Sequence, residues 1–178
     1  IRDTEGIAAF ADCIEAAYGR ADILVNNAGG QFPTTAETLS PNGWNAVIKN
    51  NLNGTFFMTQ EMGRRFFIPQ KQGRIVSVTA CVERGFPGMI HTGAARAGVE
   101  NMTKTLAIEW AQHNVTAVAL APGLVLSSGT RQYPRELLEM QRLATPSKRW
   151  ASEEEMASIV VFLASPAANF INGCTVKA

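Results

Sequence analysis

Cysteine is scarce and poorly placed for bonding. Cys13, Cys81 and Cys174 are odd in number and far apart, which excludes a secreted disulfide framework and fits no metal-ligand spacing. Each reads as a small buried apolar residue whose thiol stays reduced, as inside a cell. Charge is modest too: 17% charged residues and a formal net charge of +1 leave no basic footprint for nucleic acid. No apolar run approaches the length of a membrane span. The opening stretch IRDTEGIAAF lacks the basic-then-apolar order of a signal peptide. These absences predict a soluble, cytoplasmic protein with no nucleic-acid, membrane or metal partner.

What is present is an alternation of helix and strand patterns. In TEGIAAFADCIEAAYG, Ile7, Phe10, Ala11, Ile14 and Tyr18 recur at helical spacing, with Thr4 placed to cap and Gly19 to stop. DILVNNAGG is a short apolar run ending in amides and glycines, the pattern of a buried parallel strand whose carboxyl end opens into a loop. SPNGWNAVIKNNLNGTFFMTQEMGRRFF is helical on both sides of an asparagine-rich break, and GRIVSVTA is a second buried strand. In HTGAARAGVENMTKTLAIEWAQH, Ala95, Val99, Met102, Leu106 and Trp110 mark one long helix, followed by the strand VTAVALAPG. A turn-rich stretch over 124–150 holds a helical piece at 135–143, SEEEMASIVVFLAS reads as a capped helix, and GCTVKA starts a last strand.

Strands alternating with helices imply βαβ crossovers: an α/β, doubly wound parallel sheet of three Rossmann-like layers, with ligands beyond the carboxyl ends of the strands. Such a fold normally opens with a strand, a glycine-rich turn and a helix that hold a pyrophosphate. This sequence opens on a helix. Gly93 and Gly98 lie at a helix start but follow no strand, so they fail the context of a phosphate loop and read as close-packing positions. Residues 1–178 are therefore expected to be one NAD(P)-binding domain whose N-terminal half is absent and whose C-terminus is cut short.

NNAG after a strand, NNLNGTFF in a helix and APG after another strand, spaced as here, resemble the short-chain dehydrogenase/reductase family across nearly the whole chain. LVNNAGGQF, RGFPGMIHTGAARAGVENMTKTLAIEWA and APGLV resemble its peroxisomal-type trans-2-enoyl-CoA reductase branch, near the 2,4-dienoyl-CoA reductases. The resemblance implies NADPH-linked reduction of a double bond conjugated to a thioester, an acyl-CoA substrate and a homo-oligomer, dimer or tetramer, built on the helices at 44–67 and 92–111. It assigns Asn27, Ala28 and Gly29 to the cofactor cleft, Pro122, Gly123 and Val125 to the nicotinamide carboxamide, and Ser127 or Ser128 to the cofactor phosphates. Asn51 matches the family asparagine that kinks its helix. NAD is not excluded, because the residues that read the ribose 2′ position lie outside this sequence. A peroxisomal address is compatible if a terminal signal lies outside it as well.

The family's catalytic set is altered. Members carry a serine and, four apart on one helix, a tyrosine and a lysine; here those positions read Thr79 or Ala80, Thr92 and Arg96. Thr92, Arg96 and Glu100 share a helix face, so Arg96 either pairs with Glu100 or faces the cofactor. An arginine cannot relay protons but can hold a ribose or phosphate. A threonine hydroxyl is too weak an acid to protonate an alkoxide, but it can donate a hydrogen bond to a carbonyl oxygen. That suits an enoyl thioester, where hydride goes to the β-carbon and charge gathers on the thioester oxygen. Tyr133 is a candidate donor to the α-carbon, and His91 is either a titratable neighbour or an ordinary core histidine. Arg131, Arg135, Arg142, Lys148 and Arg149 would meet coenzyme A phosphates or simply solvate a surface. The competing readings are a carbonyl or alcohol dehydrogenase of the same fold, and a noncatalytic relative kept as a cofactor-binding or oligomer-forming module.

Overall fold

The computed structural model describes every residue of 1–178 except the side chains of Arg131 and Gln132. Four strands, β1 (Ile23–Asn26), β2 (Gly73–Val78), β3 (Val115–Ala121) and β4 (Thr175–Lys177), form one all-parallel sheet in the order β1-β2-β3-β4. Parallel neighbours require crossovers, and helices supply them on both faces. On one face Ile75, Val115 and Ala117 pack against Ala11, Met62, Phe66 and Leu106, residues of the helical layer. On the other, Val76, Val118 and Leu120 pack against Leu163. The doubly wound, Rossmann-like expectation is correct. β1 differs from its sequence reading in one respect: Leu24 and Asn26 are buried, while Ile23 and Val25 are 48% and 41% exposed. The helix that carries Leu163 covers β2 to β4, so β1 is clothed on one face.

Helix α1 (Thr4–Tyr18) is capped one residue earlier than expected: the Asp3 carboxylate accepts from the Glu5 and Gly6 N–H groups, and Gly19 closes the helix at φ 67°. Helices α2 (Pro41–Ile48), α3 (Gly54–Met62) and α4 (Ile68–Gln70) run on through two π-helical turns, Lys49–Asn53 and Gly63–Phe67. The asparagine-rich stretch is thus a π-bulge inside the helix, where one extra residue per turn rotates the following face. Helix α5 (Ile90–Glu109) crosses beneath β3, α6 (Arg135–Ala144) lies in the turn-rich stretch, and α7 (Glu153–Ala164) is capped by Ser152 and Glu155. None of the described residues at 122–162 is buried, so this stretch rides on the surface of the domain. Of the cysteines, Cys13 and Cys81 are exposed, contrary to the expectation of buried thiols, because both fall on outward-facing positions. Among the described residues no helix is long and apolar enough to cross a membrane.

Candidate active site

The carboxyl ends of β1, β2 and β3 and the start of α5 converge on one cleft, where ligands bind in open parallel sheets. Asn27, Ala28, Gly29 and Gly30 leave β1 as an exposed loop. Asn51, presented by the first π-bulge and fully buried, holds that loop from below. Its Oδ1 accepts from the Gly30 N–H at 2.9 Å, and its Nδ2 donates to the Gly30 carbonyl at 2.9 Å. Asn50 Nδ2 donates to the same Oδ1 at 3.1 Å. Both arms of the Asn51 amide are therefore spent on loop geometry.

Arg96, on the inner face of α5, lies directly behind that loop. Its Nη1 donates to the Val78 carbonyl at 2.9 Å, and a methyl group on Gly29 would sit 2.2 Å from its Nη2. Only glycine lets the loop pass so close to the guanidinium. Burial pushes the Arg96 guanidinium below its ordinary value, yet arginine stays charged at any working pH. The expected Arg96–Glu100 pair is not formed, and among the described residues no carboxylate reaches Arg96 within ion-pair distance. Glu100 instead faces the Thr79 hydroxyl at 3.3 Å, which also reaches the Leu120 carbonyl at 3.2 Å. A half-buried cation without a counter-charge, beside a glycine that leaves it open, fits an anionic, hydroxyl-rich dinucleotide.

Thr92 departs from its expected place at the cleft surface. It falls on the inward side of the first turn of α5, has 0% exposure, and sets its hydroxyl 3.3 Å from His91 Nδ1. A hydroxyl without exposed surface cannot polarise a substrate oxygen in this arrangement. His91 is also 0% exposed; its Nδ1 accepts from the Thr92 N–H at 2.8 Å, and its Nε2 has no hydrogen-bond partner among the described residues. Phe32 packs edge-on against the imidazole, with ring centroids 4.6 Å apart.

Pro122 and Gly123 extend β3 into the cleft, with the Gly123 N–H donating to the Ala178 carbonyl at 2.6 Å. Val125 forms an isolated parallel bridge with Ala151, and the Thr130 hydroxyl donates to the Ser127 carbonyl at 2.6 Å. These residues border the same end of the sheet, and among the described residues they form no hydrogen bond with Arg96 or Asn51. Tyr133 does enter: its hydroxyl accepts from Gln31 Nε2 at 3.0 Å and faces Met89 Sδ at 3.8 Å. Gln31 and Met89 are the residues that sequence reasoning missed. Of the basic residues expected near a coenzyme A, Arg142 pairs with Glu139 and Arg149 with Glu155, as solvated surface charges do; the Arg131 side chain lies outside the described residues. Although Cys81 is exposed as a residue, partial desolvation of its sulfur, with Glu83 adding repulsion, pushes the thiol up. A polar recess at the opposite, amino ends of the strands is lined by Asp22, Arg74 and Asn169, but Arg74 is spent there on the Leu163 and Ser165 carbonyls.

With that geometry in place, the relatives are informative. All of residues 1–178 match the family described as "Enoyl-(Acyl carrier protein) reductase". A solved short chain dehydrogenase from Bacillus anthracis superposes with a TM-score of 0.93 at 38% identity, covering 99% of this chain and 71% of that one. The chain belongs to the short-chain dehydrogenase/reductase family. A probable 2,4-dienoyl-CoA reductase of Bacillus subtilis is 39% identical over 165 residues, covering 88% of this chain and 64% of that protein. A gluconate 5-dehydrogenase from Burkholderia cenocepacia, solved in complex with NADP and tartrate, has a TM-score of 0.94 at 30% identity, covering 99% of this chain and 70% of that one. This member of the family thus spans about two thirds of the length of such relatives.

Proposed function

We propose that the full-length protein reduces the 2,3 double bond of a trans-2-enoyl-CoA with NADPH, the observation carrying this reading being the uncompensated Arg96 guanidinium behind the Gly29 loop. NADPH, when bound, supplies a hydride to the β-carbon. The remaining work falls to the chain. Asn27, Ala28 and Gly29, held in place by Asn51, give the cofactor a close-fitting backbone wall. Pro122, Gly123 and Val125 offer main-chain groups to the carboxamide side, and Ser127 lies toward the phosphates. Arg96 is a fixed positive charge in a half-buried site, where it stabilises negative charge more than it would in water. Negative charge gathering on the thioester oxygen would be offset by Arg96 without any proton transfer. A proton must then reach the α-carbon; Tyr133 is its source.

This assignment suits a site that lacks the tyrosine–lysine pair of carbonyl reduction. The loop at 82–90 adds an apolar hollow of 450 Å³ lined by Val82, Phe86, Pro87 and Ile90, suited to an acyl chain beside Met89. The exposed Trp44, Phe56 and Ile108 on the long helices suit contact with a second copy, giving a homodimer or homotetramer. The compartment follows the substrate, cytoplasm or peroxisome. The test is oxidation of NADPH, and separately NADH, by the full-length protein with crotonyl-CoA, a longer trans-2-enoyl-CoA and a panel of ketones. Turnover confined to enoyl thioesters is expected. Turnover confined to ketones replaces the assignment with carbonyl chemistry, and none with either class leaves a cofactor-binding module.

A further inference from the structure

Gln31 is neither a family catalytic position nor part of the cofactor wall, yet its amide donates a hydrogen bond to a phenol at the cleft. The chain has two tyrosines. Tyr18 is 78% exposed on α1, so Tyr133 is the chain's phenol at the site. None of the described residues in its own stretch of chain is buried, and its hydroxyl is met by Gln31 at 3.0 Å from across a separation of 102 residues. Gln31 itself is pinned on both sides: Gly30 is clasped by Asn51 through its N–H and its carbonyl, and Phe32 is packed on His91. These neighbours fix the backbone from which the Gln31 amide reaches Tyr133.

We infer that Gln31 is a positioning residue that holds Tyr133 and stabilises the charge left on its oxygen as it gives a proton to the substrate α-carbon. The inference rests on the enoyl-reduction reading above. The amide N–H donates to the phenol oxygen, so the phenol's own proton is directed elsewhere, and the acceptor it meets is the Met89 thioether at 3.8 Å. A thioether is a weak acceptor that yields readily to a better one. When the enolate collapses, a C–H bond forms at the α-carbon, the Tyr133 O–H bond breaks, and the phenolate recovers a proton from water. The Gln31 N–H is preorganised on the oxygen where negative charge develops, which is the arrangement that lowers a barrier.

The test uses the full-length protein with crotonyl-CoA and NADPH in H2O and D2O, comparing wild type with Tyr133→Phe, Gln31→Leu and Gln31→Glu. Tyr133→Phe is expected to lower kcat by about 10²-fold, in the range for a lost general acid. Gln31→Leu is expected to lower kcat about tenfold with KM unchanged, the loss of one hydrogen bond to a developing charge. It should also raise the solvent isotope effect and scramble the stereochemistry of deuterium at the α-carbon. Gln31→Glu should recover activity as the pH falls, because a protonated carboxyl donates to the phenol and a carboxylate does not. A readout independent of turnover is the tyrosine 13Cζ resonance lost in Tyr133→Phe, which should shift in Gln31→Leu. Wild-type kcat, isotope effect and stereochemistry in Gln31→Leu overturn the inference while the reductase reading stands, as does an unshifted resonance. No turnover of crotonyl-CoA by wild type overturns both.

Discussion

Replacing Gly29 with alanine tests the loop–guanidinium contact on which the cofactor seat rests. The added methyl would lie 2.2 Å from Arg96 Nη2, 3.3 Å from its Cζ and 3.4 Å from Asn51 Oδ1, so one partner must give way. If Arg96 retreats, it surrenders its bond to the Val78 carbonyl; a hydrogen bond to a charged group is worth about 1.5–3 kcal/mol. If the loop retreats, the Asn51 clasp on Gly30 stretches at a similar cost. A destabilisation of about 2–3 kcal/mol is expected, a fall in Tm of about 4–12 °C for a domain of this size. Denaturant unfolding of the full-length protein without cofactor reads it directly, and Arg96→Ala supplies the partner variant. Alanine at 96 vacates the space the methyl needs, so the double variant should be more stable than the sum of the two losses by about 1–3 kcal/mol. Losses that add within about 0.5 kcal/mol would refute the contact.

Asn51→Ala removes both bonds to Gly30 and leaves a cavity where a fully buried side chain stood, so a loss of about 2–4 kcal/mol is expected in chemical denaturation. Gly63→Ala places a methyl 2.3 Å from the Trp110 ring and should cost about 1–3 kcal/mol by overpacking, visible as a lower Tm with an unchanged cofactor affinity. Glu155 is held well below its ordinary value of 4.5, at about 2, by two hydrogen bonds from Arg149 and one from the Ser152 N–H. A lowered carboxylate stabilises the fold above the unfolded value and loses that contribution as pH falls toward the folded one. Glu155→Gln should therefore have a lower Tm than wild type at neutral pH, with the difference closing between about pH 4.5 and 2.

The sheet was legible because the strands are short, largely β-branched runs, two of which, β1 and β3, lead into amide or glycine turns, and each crossover carries helical periodicity. Helix α7 could be read from Ser152 and Glu155 alone, since a capping box is a local pattern. The asparagine-rich break was misread because a π-bulge keeps helical backbone angles and differs only in register, which residue type does not report. Asn51 and Gly29 were found through motif resemblance, although their physical roles, a bidentate clasp and an opening for Arg96, depend on contacts distant in sequence. Thr92 was placed by counting from the glycines that follow it; counting fixes the helical face but not which hydroxyl the protein covers, and here the Thr92 hydroxyl is fully buried beside His91. Gln31 gave no signal, because its partner Tyr133 lies 102 residues away. Arg96 shares a helix face with Glu100, as counting shows, yet the two do not pair: Glu100 accepts from the Thr79 hydroxyl and Arg96 donates to the Val78 carbonyl.

The most direct measurement follows the hydride. NADPH carrying deuterium at the transferred position of its nicotinamide, incubated with the full-length protein and a trans-2-enoyl-CoA, should place the label on carbon 3 of a saturated acyl-CoA. Label on a carbinol carbon of a ketone-derived product, with the enoyl thioester recovered unlabelled, would contradict the proposed reaction.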